Sequence, residues 1–296
     1  MRYLICVLLL VSWLLSGCQS APQANPQVDK IFANYDSSYA PGCAVGVIQN
    51  GQWAYQHAYG MADLEAKTPI TTQSTFYIGS GGKQFTAMSI LLLVEQGKLS
   101  LDDDIHKYLP ELPDYGACVT VGNLIHHTSG IKDYLILWLH KFNDQELNTY
   151  DHLDSIHEDN SLKLIASQKE LDFSPGNQYA YSNSNYFLLG VIVKRVSGKS
   201  LRQFADENIF NPLGMNHTQS RDAVDIAIPG LAMGYMQNTD GTRQSTRKFP
   251  RTTTSLEMAV YIPHWMICSN GIKIFITTSW GKRIPISLTR RTRLSC

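Results

Sequence analysis

Ser80-Gly81-Gly82-Lys83 sets a hydroxyl and an amine three positions apart, just ahead of an apolar run that opens with Phe85. In a first helical turn residues three apart share a face, so the Lys83 amine can reach the Ser80 hydroxyl and take its proton as the oxygen attacks a carbonyl. The positive end of the helix lies at the same place, where backbone N–H groups can stabilise an oxyanion. A lysine acting as base must be neutral part of the time, a state that burial and nearby positive charge favour. Ser245 and Lys248 repeat the spacing, but no apolar strand precedes that pair and no apolar helix follows it, so it is set aside.

Tyr181-Ser182-Asn183 is a second reactive group, preceded by Phe173-Ser174-Pro175-Gly176 and followed by Ser184-Asn185-Tyr186-Phe187-Leu188-Leu189-Gly190. A tyrosine held near cations can shuttle a proton, and an asparagine amide offers a donor and an acceptor with which to orient a substrate amide. A tyrosine alone is ordinarily a core aromatic with a satisfied hydroxyl, so its neighbours carry the assignment. The pair His126-His127, and His152 with His157 among Asp151, Asp154, Glu158 and Asp159, raise the question of a metal. No zinc-type spacing accompanies either pair, and the expectation is solvated loop histidines and no metal.

These groups need a frame. Cys43-Ala44-Val45-Gly46-Val47-Ile48, then Asn50-Gly51, then Trp53 to Tyr59, read as two strands joined by a tight turn. Lys83 to Gln96 is apolar on most faces and stops at Gly97, which predicts a buried helix with a glycine C-terminal cap. From about Leu101 to Pro212 short helical patterns alternate with Pro- and Gly-marked turns, and Tyr186 to Val196 forms a second apolar helix ending near Gly198. No internal repeat interrupts the chain, so residues 30–246 are expected to form one catalytic-type domain with an embedded helical region.

The 296 residues, 44% of them hydrophobic, with 25 Lys+Arg against 25 Asp+Glu, exclude a disordered, collagenous or polytopic membrane chain. The charge is unevenly placed: from Arg247 onward there are nine Lys/Arg and one acid, so residues 1–246 carry eight excess negative charges. At the other end Arg2 precedes an apolar run from Tyr3 to Leu15, too short for a comfortable span, which reads as a secretory signal. Its end, Leu15-Ser16-Gly17-Cys18, resembles the bacterial lipobox. That likeness implies a signal over 1–17, lipidation of Cys18 as first mature residue, and, from Gln19, an outer-membrane destination. An ordinary signal peptide with an incidental cysteine is the alternative. Residues 18–29 then form a polar tether, and the acyl chains anchor the protein to a bilayer without spanning it. Apart from Cys6, Cys18, Cys268 and Cys296 in the two ends, only Cys43 and Cys118 remain, and their spacing leaves a disulfide and two free thiols equally open.

Four landmarks follow one another along the chain: Tyr77-Ile78-Gly79-Ser80-Gly81-Gly82-Lys83-Gln84-Phe85-Thr86-Ala87, then His127-Thr128-Ser129-Gly130-Ile131, then Tyr181-Ser182-Asn183, then Ile209-Phe210-Asn211-Pro212-Leu213-Gly214-Met215. In order and spacing, from about Pro41 through Thr218, the chain resembles serine hydrolases of the class C β-lactamase and penicillin-binding-protein type, which include D-alanyl-D-alanine carboxypeptidase-like and esterase members. The resemblance implies an α/β fold of the α+β kind, an antiparallel sheet flanked by helices. It makes Ser80 the acylated nucleophile and Lys83 its activator. Tyr181 becomes the proton relay, and Asn183 the group that holds the substrate's carbonyl-amide. The stretch from His127 to Gly130 becomes a structural turn between helices. Gly81-Gly82 departs from the family's frequent Val-Ser; two glycines in a first turn cost up to roughly 1 kcal/mol each against alanine, so the nucleophile is expected to be less rigidly held. No metal or organic cofactor is implied. The expected partners are a small-molecule or peptide acyl substrate, such as a peptidoglycan peptide, a β-lactam or a small ester, and the lipid bilayer, with no nucleic acid. The implied setting is the periplasmic side of the outer membrane.

The family's third element, a Lys or His followed after one residue by Gly on a strand, is not found after Met215. Back-translation offers a reason. Joining the third base of each codon from Leu256 onward to the first two of the next permits a reading that begins Gly-Asp-Gly-Gly-Val-Tyr-Ser and resembles the segment this family has there. Some of it is forced: Trp265 before Met266 gives Asp, as does Met266 before Ile267, and Trp280 before Gly281 gives Gly. The expectation is a frame change between about Gly241 and Leu256, an out-of-frame basic tail over 247–296, missing C-terminal sheet strands and an inactive chain as written. A basic tail evolved for anionic lipid or nucleic acid is the rival account. The function expected of the intact frame is hydrolysis of an amide, β-lactam or ester through an acyl-enzyme. The alternatives are a non-catalytic penicillin-binding or sensor module and the remnant of a disrupted hydrolase gene.

Overall fold

The computed structural model describes residues 25–49, 52–141, 158–220, 228–237 and 243–245. Cys18, the Asn50-Gly51 turn, His152, His157, Lys248 and the whole basic tail lie outside the described residues. The chain divides into two compact units at Thr72.

The first unit is a helix and a hairpin. Helix α1 (Pro26–Phe32) starts at Asn25, whose Oδ1 accepts the N–H groups of Gln27 and Val28, with Pro26 in the first turn, where its missing N–H costs nothing. Residues 26–29, expected in the tether, are therefore helical. Strands β1 (Cys43–Gln49) and β2 (Gln52–Tyr59) pair antiparallel from Cys43↔Tyr59, with a bulge between Val47 and Ile48. Tyr55 and Tyr59, four apart on one strand face, both donate to Asp29 Oδ1, at 2.6 and 2.7 Å, while Phe32 stacks on Tyr59. First Tyr55 and then Tyr59 hold the Asp29 carboxyl below the ordinary carboxylate range. Beyond β2, Gly60 has φ +65, and a Cβ there would lie 2.3 Å from the Tyr35 carbonyl. The chain turns at Gly60 into the small ladder of β3 (Met61–Asp63) and β4 (Thr68–Pro69). Cys43 carries a free thiol, so it is not joined to Cys118; burial pushes that thiol's pKa up.

The second unit is mainly helical. Helix α2 (Lys83–Glu95) ends at a left-handed Gly97, as its pattern predicts, and turns Phe85, Ile90, Leu92 and Leu93 into the core. Short helix α3 (Val121–Ile125) carries a capping box between Thr120 and Asn123. Helices α4 (Tyr134–Lys141) and α5 (Glu158–Ala166) follow. Helix α6 (Asn183–Ser197) is buried without interruption from Ser184 to Val193 and stops at left-handed Gly198. It begins three residues before the Tyr186 that its apolar pattern suggests, because its first turn is polar yet buried. Helix α7 (Leu201–Ala205), capped by Ser200 and Gln203, runs into a π-type turn over Asp206–Phe210. Helices α2, α3, α4 and α7 all pack on α6. The strands β5 (Tyr235–Gln237) and β6 (Arg243–Ser245) form a third antiparallel pair, so Ser245 ends a strand. The architecture is thus mixed, helices with antiparallel ladders. Among the described residues no helix is long and apolar enough to cross a membrane.

The loop between α2 and α3 holds His106 with Nδ1 2.7 Å from Asp104 Oδ1 and Nε2 2.9 Å from the Pro113 carbonyl oxygen. Both neighbours are acceptors, so the imidazole is best satisfied when doubly protonated. Burial opposes that charge, but the Pro113 carbonyl and the Asp104 carboxylate outweigh it and hold the pKa above the ordinary histidine value. A raised folded pKa gives stability that is fully present below the unfolded value, about 6.5, and is lost as pH rises through the folded one. Thermal melting followed across this range should show the midpoint falling toward alkaline pH, with a smaller fall in His106→Gln; equal slopes in the two proteins would refute this account.

Candidate active site

Ser80 lies in a tight 3-10 turn, Gly79–Gly82, rather than in the α-helix proper, which starts at Lys83. The spacing still works, because a 3-10 turn also brings residues three apart onto one side. Lys83 Nζ donates to Ser80 Oγ at 3.0 Å and to Asn183 Oδ1 at 3.0 Å. Ser80 Oγ and Tyr181 Oη are 2.7 Å apart, so the serine oxygen is contacted by an amine and by a phenol. Lys83 is buried and its Nζ stands 5.2 Å from the centre of the Tyr181 ring and 5.7 Å from that of Tyr186. Ser80 is exposed and Tyr181 45% exposed, so the reactive oxygen faces outward with its amine behind it. Ser80, Lys83, Tyr181 and Asn183, drawn from two segments a hundred residues apart, lie within hydrogen-bond reach of one another through Ser80 Oγ and Lys83 Nζ.

A second loop holds this arrangement. The turn from His127 to Asp133 between α3 and α4 is tied to the chain from Ala180 to Asn185 by a set of hydrogen bonds from His127, Ser129, Lys132 and Asp133. Ala180 N–H donates to the His127 carbonyl at 3.0 Å, and Ser182 N–H to His127 Nδ1 at 3.2 Å. Asn183 gives both its backbone N–H and its side-chain Nδ2 to Asp133 Oδ2, at 2.9 and 2.8 Å. Ser184 Oγ donates to the Lys132 carbonyl at 2.6 Å and accepts the Tyr134 N–H at 2.8 Å. Asn185 Oδ1 accepts from Ser129 Oγ at 2.6 Å. Gly130, at φ +78, is required here: a Cβ would stand 2.2 Å from the Phe173 carbonyl oxygen.

His126 is exposed, but His127 is buried, which corrects the expectation that both are solvated. Its Nδ1 accepts from Ser182 and faces Asn185 Nδ2 at 3.3 Å, so the ring is neutral with its proton on Nε2. Burial, then the positive charge of Lys83, lower its pKa. The ring lies against Tyr181 at 4.6 Å between centroids and against Tyr186 at 5.1 Å, fixing the phenol beside Ser80. The sequence reasoning missed His127 as a wall of the site, and it missed Asp133 and the Ser129–Asn185 pair. One signal was available: the polar run Ser182-Asn183-Ser184-Asn185 opens a helix that is otherwise apolar, and buried polar side chains require partners.

A serine held between a lysine and a tyrosine on a mixed helical and antiparallel frame agrees with a family match over most of the chain. The chain belongs to the Beta-lactamase family, whose family model matches residues 28–275. Penicillin-binding protein 4* of Bacillus subtilis is 34% identical over 190 residues, which are 64% of this chain and 40% of that protein. Among solved structures, a penicillin-binding protein from Bacillus halodurans has a TM-score of 0.66 at 25% identity, over 81% of this chain and 70% of its own. The octameric penicillin-binding protein homologue from Pyrococcus abyssi gives a TM-score of 0.65 at 26% identity, over 80% and 53% of the two chains. The chain spans about two fifths of the length of its curated relative.

Gly81 gives a direct test of local rigidity. Its φ is not positive, and a Cβ would meet Ile78 Cδ1 at 3.5 Å, an ordinary contact. Gly81→Ala should therefore stabilise the protein by roughly 0.4–1 kcal/mol through the unfolded chain. Denaturant titration measures this; a loss of stability would show the turn to be tighter than its geometry indicates.

Proposed function

We propose that this protein is a serine hydrolase that opens an amide, β-lactam or ester through an acyl-enzyme on Ser80. The observation that supports this most is the contact of Ser80 Oγ with both Lys83 Nζ and Tyr181 Oη. In acylation the Ser80 oxygen bonds to the carbonyl carbon, its proton passes into the Lys83–Tyr181 pair, and the same pair returns a proton to the departing amine or alcohol. In deacylation water follows the reverse path. Asn183, held beside Lys83, orients the carbonyl-amide of the substrate. The N-terminal end of α2 favours the negative charge that develops next to Ser80.

The exposed nucleophile suits small acyl substrates such as peptidoglycan peptides or β-lactams, and the sequence ahead of Asn25 supports lipidation at Cys18 and a place on the periplasmic side of an outer membrane. The third sequence element would come from the region where the frame change is inferred, so turnover depends on restoring that frame. Removing one oxyanion donor costs on the order of 10²–10³ in rate.

The test is covalent labelling by a fluorescent penicillin and a fluorophosphonate, on the chain as written and on a frame-corrected form. Ser80→Ala should abolish label, whereas Lys83→Ala and Tyr181→Phe should each slow it by roughly 10²-fold or more and combine non-additively. Label surviving Ser80→Ala, or depending on Ser245, refutes the assignment. Stoichiometric label that never leaves marks a binding module, and a frame-corrected protein that takes no label marks an inactive remnant.

A further inference from the structure

Among the residues paired across the two loops, Asp133 serves the site most directly. Its Oδ2 accepts both N–H groups that Asn183 presents, backbone and side chain, while its Oδ1 accepts the Leu135 N–H at 2.8 Å at the start of α4. The carboxylate is thus fixed at both oxygens. It also decides which way round the Asn183 amide lies. With Nδ2 on the carboxylate, Oδ1 is turned toward Lys83 Nζ, 3.0 Å away; the flipped amide would set oxygen against oxygen at Asp133 and nitrogen against ammonium at Lys83. All three hydrogen bonds that Asp133 accepts end on its carboxylate, the strong kind. The Asn183 nitrogen keeps a second hydrogen, the one a substrate carbonyl would need.

We propose that Asp133 is a positioning residue for acylation: its carboxylate sets the orientation of the Asn183 amide, and through it the place of the Lys83 amine behind Ser80. This rests on the reading of Ser80 as the acylated nucleophile. The alternative is that Asp133 only caps α4, and the two roles make different predictions. Serine is a good N-cap, but its single oxygen, once on the Leu135 N–H, is too short to hold Asn183 as well. Asparagine keeps an oxygen that can accept from Asn183 as aspartate does.

The experiment measures the second-order rate of penicillin labelling at Ser80, together with the melting midpoint, in the frame-corrected protein. Asp133→Ser should melt as the parent does yet label about 10²-fold more slowly, since misplacement by about an ångström is enough for such a loss. Asp133→Asn should return to within roughly tenfold of the parent. In an Asn183→Ala background, where the side-chain amide that Asp133 orients is gone and only the backbone N–H of residue 183 remains on the carboxylate, Asp133→Ser should cost less than about threefold more. Parent-like labelling in Asp133→Ser, a loss that Asp133→Asn does not recover, or an equal loss in the Asn183→Ala background each overturns the proposal. A parent without label at Ser80 overturns the functional reading and this proposal with it, whereas a labelled parent with additive losses overturns this proposal alone.

Discussion

The site depends on a buried polar seam, the pairing of the His127–Asp133 turn with the Ala180–Asn185 segment. Ser129, Ser184 and Asn185 are almost wholly buried, and each has its partner across the seam. A buried polar group left without a partner costs about 1–3 kcal/mol, whereas a satisfied one adds only about 1, so the seam acts chiefly by penalising every other alignment. A slip of one residue would orphan several groups at once. The observed register satisfies Ser129, Ser184 and Asn185, leaves Ser182 Oγ without a hydrogen-bond partner, and sets Tyr181 and Asn183 opposite Ser80 and Lys83.

The seam in turn depends on an apolar helix. α6 presents ten consecutive buried residues, Ser184 to Val193, and only a helix covered on every side can carry such a run. α2, α3, α4 and α7 supply that cover, and α2 brings Ser80 and Lys83 with it. The packing that buries α6 is therefore also what closes the hundred-residue gap between the two halves of the site. The amine that arrives there lies out of water, where it must find acceptors. Ser80 Oγ and Asn183 Oδ1 are two of them, and neither carries a charge. Asn183, set between Lys83 and Asp133, accepts the hydrogen bond and passes the orienting pull of the carboxylate without putting it in contact.

What could be read from the sequence follows from the range of the interactions. The Ser80–Lys83 spacing, the glycine stops at Gly97 and Gly198 and the hairpin strands are local, and all are legible in windows of a dozen residues. Tyr181 and Asn183 were legible through resemblance. The resemblance marks His127 only as part of a turn between helices and does not mark Asp133, because their partners lie about fifty residues away. The start of α6 was misplaced for a related reason: Asn183, Ser184 and Asn185 read as a solvated loop until the groups that satisfy them are known. The tether was drawn through Asp29 because a lone acid in a polar stretch gives no sign of the two tyrosine hydroxyls that converge on it.

All of the geometry described around Ser80 lies in one unit, after Thr72, and uses none of the strands expected beyond Ser245. The cover of α2 is likewise helical in large part, from α6 and α7. Placing the Ser80 hydroxyl beside Lys83 and Tyr181 is thus a task separate from supplying the third element that the resemblance puts on a strand. The first task is encoded between Gly79 and Asn185 and is met by short-range turns and one polar seam. The second falls to a segment after Met215 in which no Lys or His followed after one residue by Gly is found. A frame change between about Gly241 and Leu256, as proposed, would therefore separate the two: the residues that bring Ser80 to Lys83 and Tyr181 stay in place, and the third element is lost.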